Sequence, residues 1–121
     1  MTKNSNSRLY DLEDRTFNFA KDVRRFVQNL KKTISNIEDG KQLIRSSGSV
    51  GANYIEANEA LSKKDFIMRI KICRKESKES RYWLRLVETN GLPDAEAARD
   101  KLITESQELM NIFGAILQKS K

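Results

Sequence analysis

Histidine is absent from this 121-residue chain, cysteine and proline occur once each, and glycine only five times. Without histidine there is no Ser–His or Cys–His nucleophile pair and no Glu-x-x-His di-iron signature. The commonest general base and most zinc sites go with it. The single cysteine, Cys73, cannot close an intrachain disulfide, which fits a reducing compartment. No apolar run approaches the roughly 18 residues that a membrane span needs. Met1–Arg8 is polar and carries no signal-like hydrophobic region, so it is expected to be a flexible tail. Scarce Pro and Gly, with 38% hydrophobic and 33% charged residues, suit a soluble helical domain spanning residues 1–121. These absences disfavour an enzyme: no catalytic residue, metal or cofactor is expected, and the cytoplasm is the default location.

Apolar periodicity predicts four helices and no strand. The first runs from about Leu12 to Lys32, with Leu12, Thr16, Phe19, Val23, Phe26 and Leu30 on one stripe. Thr33–Gly40 reads as a turn. The second, about Lys41 to Leu61, is ambiguous. Leu43, Ser47, Val50 and Tyr54 share a face, but Ser46–Asn53 holds two Gly, three Ser and an Asn. A loop wins on propensity, whereas a helix requires packing of small residues against a neighbour to compensate. The third starts at a Ser62–Asp65 capping box and carries Phe66, Ile70, Cys73, Ser77, Ser80, Leu84 and Val87 inward. Asn90–Gly91 ends it and Pro93–Asp94 opens the fourth, which runs to about Lys119. Ala98, Leu102, Leu109, Phe113 and Ile116 are its predicted inner residues. Short connections between four helices give an all-α, antiparallel up-down-up-down bundle.

The positive charge is local. Residues 63–85 carry nine Lys/Arg against three Asp/Glu, and the rest of the chain balances at fourteen of each. On a helix turning about 100° per residue, Lys63, Lys64, Lys71, Arg74, Lys75, Lys78, Arg81 and Arg85 fall within roughly 120°. Only Arg69 lies elsewhere. Such an arc is either a solvated face or a surface for an anionic partner. Tyr82 borders it and either stacks on an unpaired base or packs against a neighbouring helix.

A further arc of the third helix carries Met68, Ile72, Trp83 and Leu86, mixed with Glu76 and Glu79. Apolar residues thus extend over about 200°, more than one core stripe requires. Either the stripe reaches both neighbouring helices, or these four residues form an oligomer interface. Glu56, Glu59, Glu76 and Glu79 are candidates for acid–base pairing only in principle. Gly48–Gly51 lacks the Lys-Ser/Thr of a phosphate loop, and no strands surround it as in a KH domain.

Several stretches together resemble a known family. Gln42–Ser47 and Ser49–Ala57 are similar to the central signature of the bacterial 23S rRNA intervening-sequence proteins. Ser62–Ile67 and Glu79–Leu86 resemble its next two blocks, and Arg15-Thr16 with Phe19-Ala20 and Val23 resembles its opening. Lys31 departs from it, standing where the family often has Pro. The resemblance implies a four-helix bundle with Ser46–Asn53 inside the second helix, and assembly as a homopentamer. The accessory variability determinant of diversity-generating retroelements, a basic pentameric bundle working with a reverse transcriptase and nucleic acid, is a more distant likeness. The family implies no catalytic residue. Within its signature, Asn53, Glu56 and Glu79 are expected to form a buried polar network.

The combined expectation is a non-enzymatic homo-oligomer binding RNA or DNA, with structured RNA favoured, through the basic arc. The rival is a scaffold whose partner is an acidic protein. Membrane binding is disfavoured because no exposed apolar stripe adjoins the arc.

Overall fold

The computed structural model describes residues 7–121, with side chains from Leu12 onward, and contains four α-helices and no strand among them. They are α1 (Ser7–Gln28), α2 (Ile34–Asn58), α3 (Lys63–Leu86) and α4 (Pro93–Lys119). The expected tail at 1–8 lies outside the described residues up to position 6, and α1 already includes Ser7 and Arg8.

The predicted turn at 33–40 is a correction: it is mostly helix. Thr33 caps α2, its hydroxyl accepting the backbone N–H of Asn36 at 3.1 Å. Asn36 is itself buried, and its amide does what a turn former does, but across two loops. It donates to the carbonyls of Lys31 and Glu88, both at 3.0 Å, and accepts the Glu88 N–H at 2.9 Å. The first helix correspondingly ends at Gln28, although Leu30 stays buried below it. Its last carbonyls are taken up by tighter bonds, Asn29 N–H to Phe26 and Leu30 N–H to Val27.

The ambiguous Ser46–Asn53 segment is continuous α-helix. Packing explains it: a Cβ on Gly51 would stand 3.0 Å from Thr16 Oγ1, so α1 and α2 approach closely there. On the other flank Ser46 and Ser80 share a buried hydroxyl hydrogen bond of 2.9 Å between α2 and α3. Helix α3 begins as expected, with the Asp65 N–H donating to Ser62 Oγ at 3.0 Å. Positive φ at Asn90 and Gly91 turns the chain into α4, where Pro93 occupies the first turn.

One core draws on all four helices, including Phe19, Val23, Leu43, Val50, Ile70, Cys73, Leu84, Leu109 and Phe113. Ala98 is a second correction. It is exposed because the early turns of α4 stand away from α1, leaving a cleft that Ala98 borders. Contacts between α2 and α3 pair Asn53 with Arg69, Val50 with Cys73, and Ser46 with Ser80, and Asn36 meets Glu88 just past the end of α3. Numbers fall along α2 as they rise along α3.

Candidate nucleic-acid interface

Helix α3 packs between α2 and α4, so its wheel divides into a core face, two flanks and a solvent face. The solvent face and the α4 flank carry the basic arc. Lys63, Lys64, Lys71, Arg74, Lys75, Lys78 and Arg85 are exposed, and Arg81 is half-buried. Among the described residues none of the eight forms an ion pair; the salt bridges involve Arg15, Arg25, Lys41 and Arg45. The charges are therefore not neutralised by the fold.

Two of the eight are steadied by α4, a contribution that inspection of α3 alone misses. Arg81 donates to the side-chain carbonyl of Gln107, whose amide donates to Asn111 at 3.1 Å. Arg74 lies across Gly114, its Nε 3.8 Å from where a Cβ would stand. Arg74 and Arg81 are seven positions apart, as are Gln107 and Gly114; that shared two-turn spacing is the signal that could have found them. Arg69, outside the arc by its spacing, turns to α2 and donates to Asn53 Oδ1 at 3.0 Å.

Tyr82 does not pack into a neighbouring helix. It is exposed, and its ring meets Trp83 edge-on at 5.0 Å between centroids.

The candidate interface residues divide. Met68 and Leu86 are exposed, while Ile72 and Trp83 are half-buried and Trp83 packs against the core. The wide stripe thus reaches inward at Trp83 and leaves apolar surface at both ends. Between those ends Arg45 of α2 bridges Glu76 at 3.6 Å and Glu79 at 3.3 Å. Glu76 is buried, and its Oε1 has no hydrogen-bond partner. The predicted Asn53–Glu56–Glu79 network is a correction: Asn53 pairs with Arg69 and Ser49, Glu79 with Arg45, and Glu56 is exposed. The network does not form because two long cations take its members: Arg69 holds the Asn53 amide oxygen and Arg45 the Glu79 carboxylate.

Cys73 is fully buried and donates to the Val50 carbonyl; burial pushes its thiol up to about 12, which suppresses the thiolate. Arg15 holds Glu105 through two bonds of 2.7 and 2.8 Å and reaches Glu108 at 2.6 Å. Hydrogen bonding to Glu105, then to Glu108, holds its guanidinium more firmly protonated than usual. These groups border the α1–α4 cleft of about 920 Å³, which none of the eight arc residues lines. Among the described residues there is no cluster of ligands for a metal ion, and no helix is long and apolar enough to cross a membrane.

The family model of the 23S rRNA-intervening sequence protein matches residues 10–115. The fold is similar to a crystal structure of a protein of unknown function from the S23 ribosomal protein family of Bacteroides thetaiotaomicron. That similarity has a TM-score of 0.76 and 27% identity, covering 91% of this chain and 97% of the other. No curated protein matches.

Proposed function

The chain belongs to the 23S rRNA-intervening sequence protein family, and on that footing we propose that it is a non-enzymatic, cytoplasmic, homo-oligomeric protein. It is an antiparallel up-down-up-down bundle that binds nucleic acid, structured RNA in particular, through the basic face of α3. The observation that carries this reading is the row of eight cations on one helix face with no carboxylate partner among the described residues. A row of long cationic side chains fits phosphates rather than base edges, so sequence preference is slight. Tyr82, exposed within the same face, is available to stack on an unpaired base. Association through the apolar α3 residues Met68, Ile72, Trp83 and Leu86, into the pentamer that family resemblance implies, repeats the basic face and adds avidity.

The test is binding to a labelled structured RNA across a salt series. The comparison is a variant with Arg74, Lys78, Arg81 and Arg85 changed to Glu, matched for helicity and mass. On a duplex each neutralised phosphate contributes about −0.9 to the slope of log K against log salt, so four lost contacts flatten it by about 3 to 4. Wild-type binding with a steep slope, lost in the variant, is expected. No binding by either protein at low salt refutes the reading and turns the search to an acidic protein partner.

A further inference from the structure

Glycine in a helix interior costs about 1 kcal/mol relative to alanine, and such a residue usually marks a close approach. Gly51 has its reason within the chain, at Thr16. Gly48 has none: a Cβ there would meet only the Arg24 guanidinium, 3.5 Å away at the end of a flexible, exposed side chain. With exposed Ala52 it floors a groove of about 330 Å³ on the outer side of α1 and α2, rimmed by Phe17 and Ile55. Both rims are solvent-facing apolar residues, 62% and 48% exposed. Among the described residues Arg24, beside them, bonds only the Ala20 carbonyl and forms no ion pair.

The opposite flank of α2, shared with α3, carries the converse pattern. There Met68 and Ile72 stand at one end, Trp83 and Leu86 at the other, and Glu76 and Glu79 between them. Among the described residues Arg45 is the only cation paired with those carboxylates, and Glu76 Oε1 has no partner.

The two flanks match level for level. Cys73 bonds to Val50 and Ser80 to Ser46, so Glu76 stands at the height of Gly48, where the Arg24 guanidinium lies. Arg69 bonds to Asn53, which sets Met68 and Ile72 at the height of Ile55 and its neighbour across the groove, Phe17. Asn36 bonds at Glu88, which sets Trp83 and Leu86 at the height of exposed Ile37 and half-buried Ile44. Each flank therefore sets apolar residues on either side of a charged level, with Arg24 and Lys21 on one and Glu76 and Glu79 on the other; Glu13 also lines the groove of the first.

We propose that a second copy of this chain docks its α2–α3 flank on the α1–α2 flank of the first, Arg24 of one facing Glu76 and Glu79 of the next. This rests on the association proposed above and names its two surfaces. The contact is head-to-tail, because the surfaces differ. Rotation about an axis along the bundle keeps every residue at its height, which the level match requires. Both flanks border α2, so a ring closed this way sets α2 nearest its axis. The small residues Gly48, Ser49 and Ala52 then lie where copies crowd together.

Two variants block one flank each at exposed positions: Phe17→Glu with Ile55→Glu, and Met68→Glu with Leu86→Glu. Circular dichroism and thermal melts establish that both fold, and native mass spectrometry and sedimentation give the masses. The full chain is expected to be a multimer, each variant a monomer, and their equimolar mixture a heterodimer, since one intact flank remains on each. A multimeric wild type whose variants keep its mass, or a mixture that stays monomeric, overturns the pairing and leaves association standing. A monomeric wild type overturns the pairing and the association together. RNA binding is read separately, on the charge-reversed variant of the basic face, and does not decide the pairing.

Discussion

The same substitution, Gly→Ala, should have opposite signs at two positions one turn apart in α2. At Gly51 the new methyl would stand 3.0 Å from Thr16 Oγ1 and 3.3 Å from its Cβ. Thr16 cannot yield, because it is buried and its hydroxyl donates to the carbonyls of Leu12 at 2.9 Å and Glu13 at 3.0 Å. Overpacking costs about 1–3 kcal/mol, set against about 1 kcal/mol of helix propensity gained. Because Thr16 is pinned, the upper part of that range, about 2–3 kcal/mol, applies, and Gly51→Ala should lose about 1–2 kcal/mol. At Gly48 only the mobile Arg24 guanidinium must move, so Gly48→Ala should gain up to about 1 kcal/mol. Urea unfolding is measured in the Met68→Glu/Leu86→Glu background so that association does not enter. With a slope of about 1–3 kcal/mol per molar urea, the two midpoints should separate by about 1 M. Thr16→Ala should shrink the cost at Gly51, giving a coupling of about 0.5–3 kcal/mol in the double-mutant cycle. Equal or greater stability of Gly51→Ala would refute the close approach.

Cys73 gives a pH signature. Its thiol titrates near 9.0 when free and is pushed up to about 12 by burial, so between those values the unfolded chain sheds a proton the folded one keeps. The stability it contributes is complete below 9.0 and lost as pH rises through about 12. From pH 8 to about pH 10.5 the wild type should lose about 2 kcal/mol more than Cys73→Ala, read from urea midpoints. Parallel pH profiles would count against the shift. Asn36→Ala strips partners from the Glu88 N–H and from the Lys31 and Glu88 carbonyls, and should cost about 2–3 kcal/mol in chemical denaturation. A loss under about 0.5 kcal/mol would show that water replaces the amide.

What the sequence reveals here is what depends on single-helix periodicity. The stripes Leu12–Leu30 and Phe66–Val87 are written at spacings of three and four, and almost all of those residues are buried. Ser62 and Pro93 mark helix starts because capping chemistry is local. The errors arise where a distant element decides. Asn36 scores as a turn former, but its amide is spent on the loop after α3, 52 positions away. The serines and glycines of α2 look like a loop until α1 and α3 stand close enough to reward small side chains. Ala98 fits the α4 stripe and is exposed because α1 diverges from it. The basic arc was legible as a direction on one helix. Its steadying by Gln107 and Gly114, and the diversion of Glu79 to Arg45, depend on which helices become neighbours.

The arrangement of faces bears on whether the two proposals can hold together. The basic arc occupies the α4 flank and outer side of α3, as the contacts of Arg74 with Gly114 and Arg81 with Gln107 place it. The residues proposed to meet another copy occupy the α2 flank, as the Glu76 and Glu79 pairs with Arg45 place them. One helix thus presents its two surfaces to different partners. The mid-lines of the two surfaces lie about a third of a turn apart on the wheel, and their edges adjoin where Lys75 stands within about 20° of Met68 and Leu86. In a ring with α2 innermost, association covers the carboxylates of α3 and leaves its cations outward. Burying Glu76 and Glu79 against Arg24 removes negative charge from the neighbourhood of the arc, so assembly strengthens the field a polyanion meets. RNA affinity should then fall in both flank-blocked variants, though neither alters a cation of the arc. The drop should exceed what the added glutamates explain, because a monomer also forfeits the repetition of the face. Titration of both variants with the same RNA, against the heterodimer they form together, separates the two contributions. The heterodimer carries two arcs and the same added charge per chain, so affinity no higher than the monomers' would show that the arcs act singly.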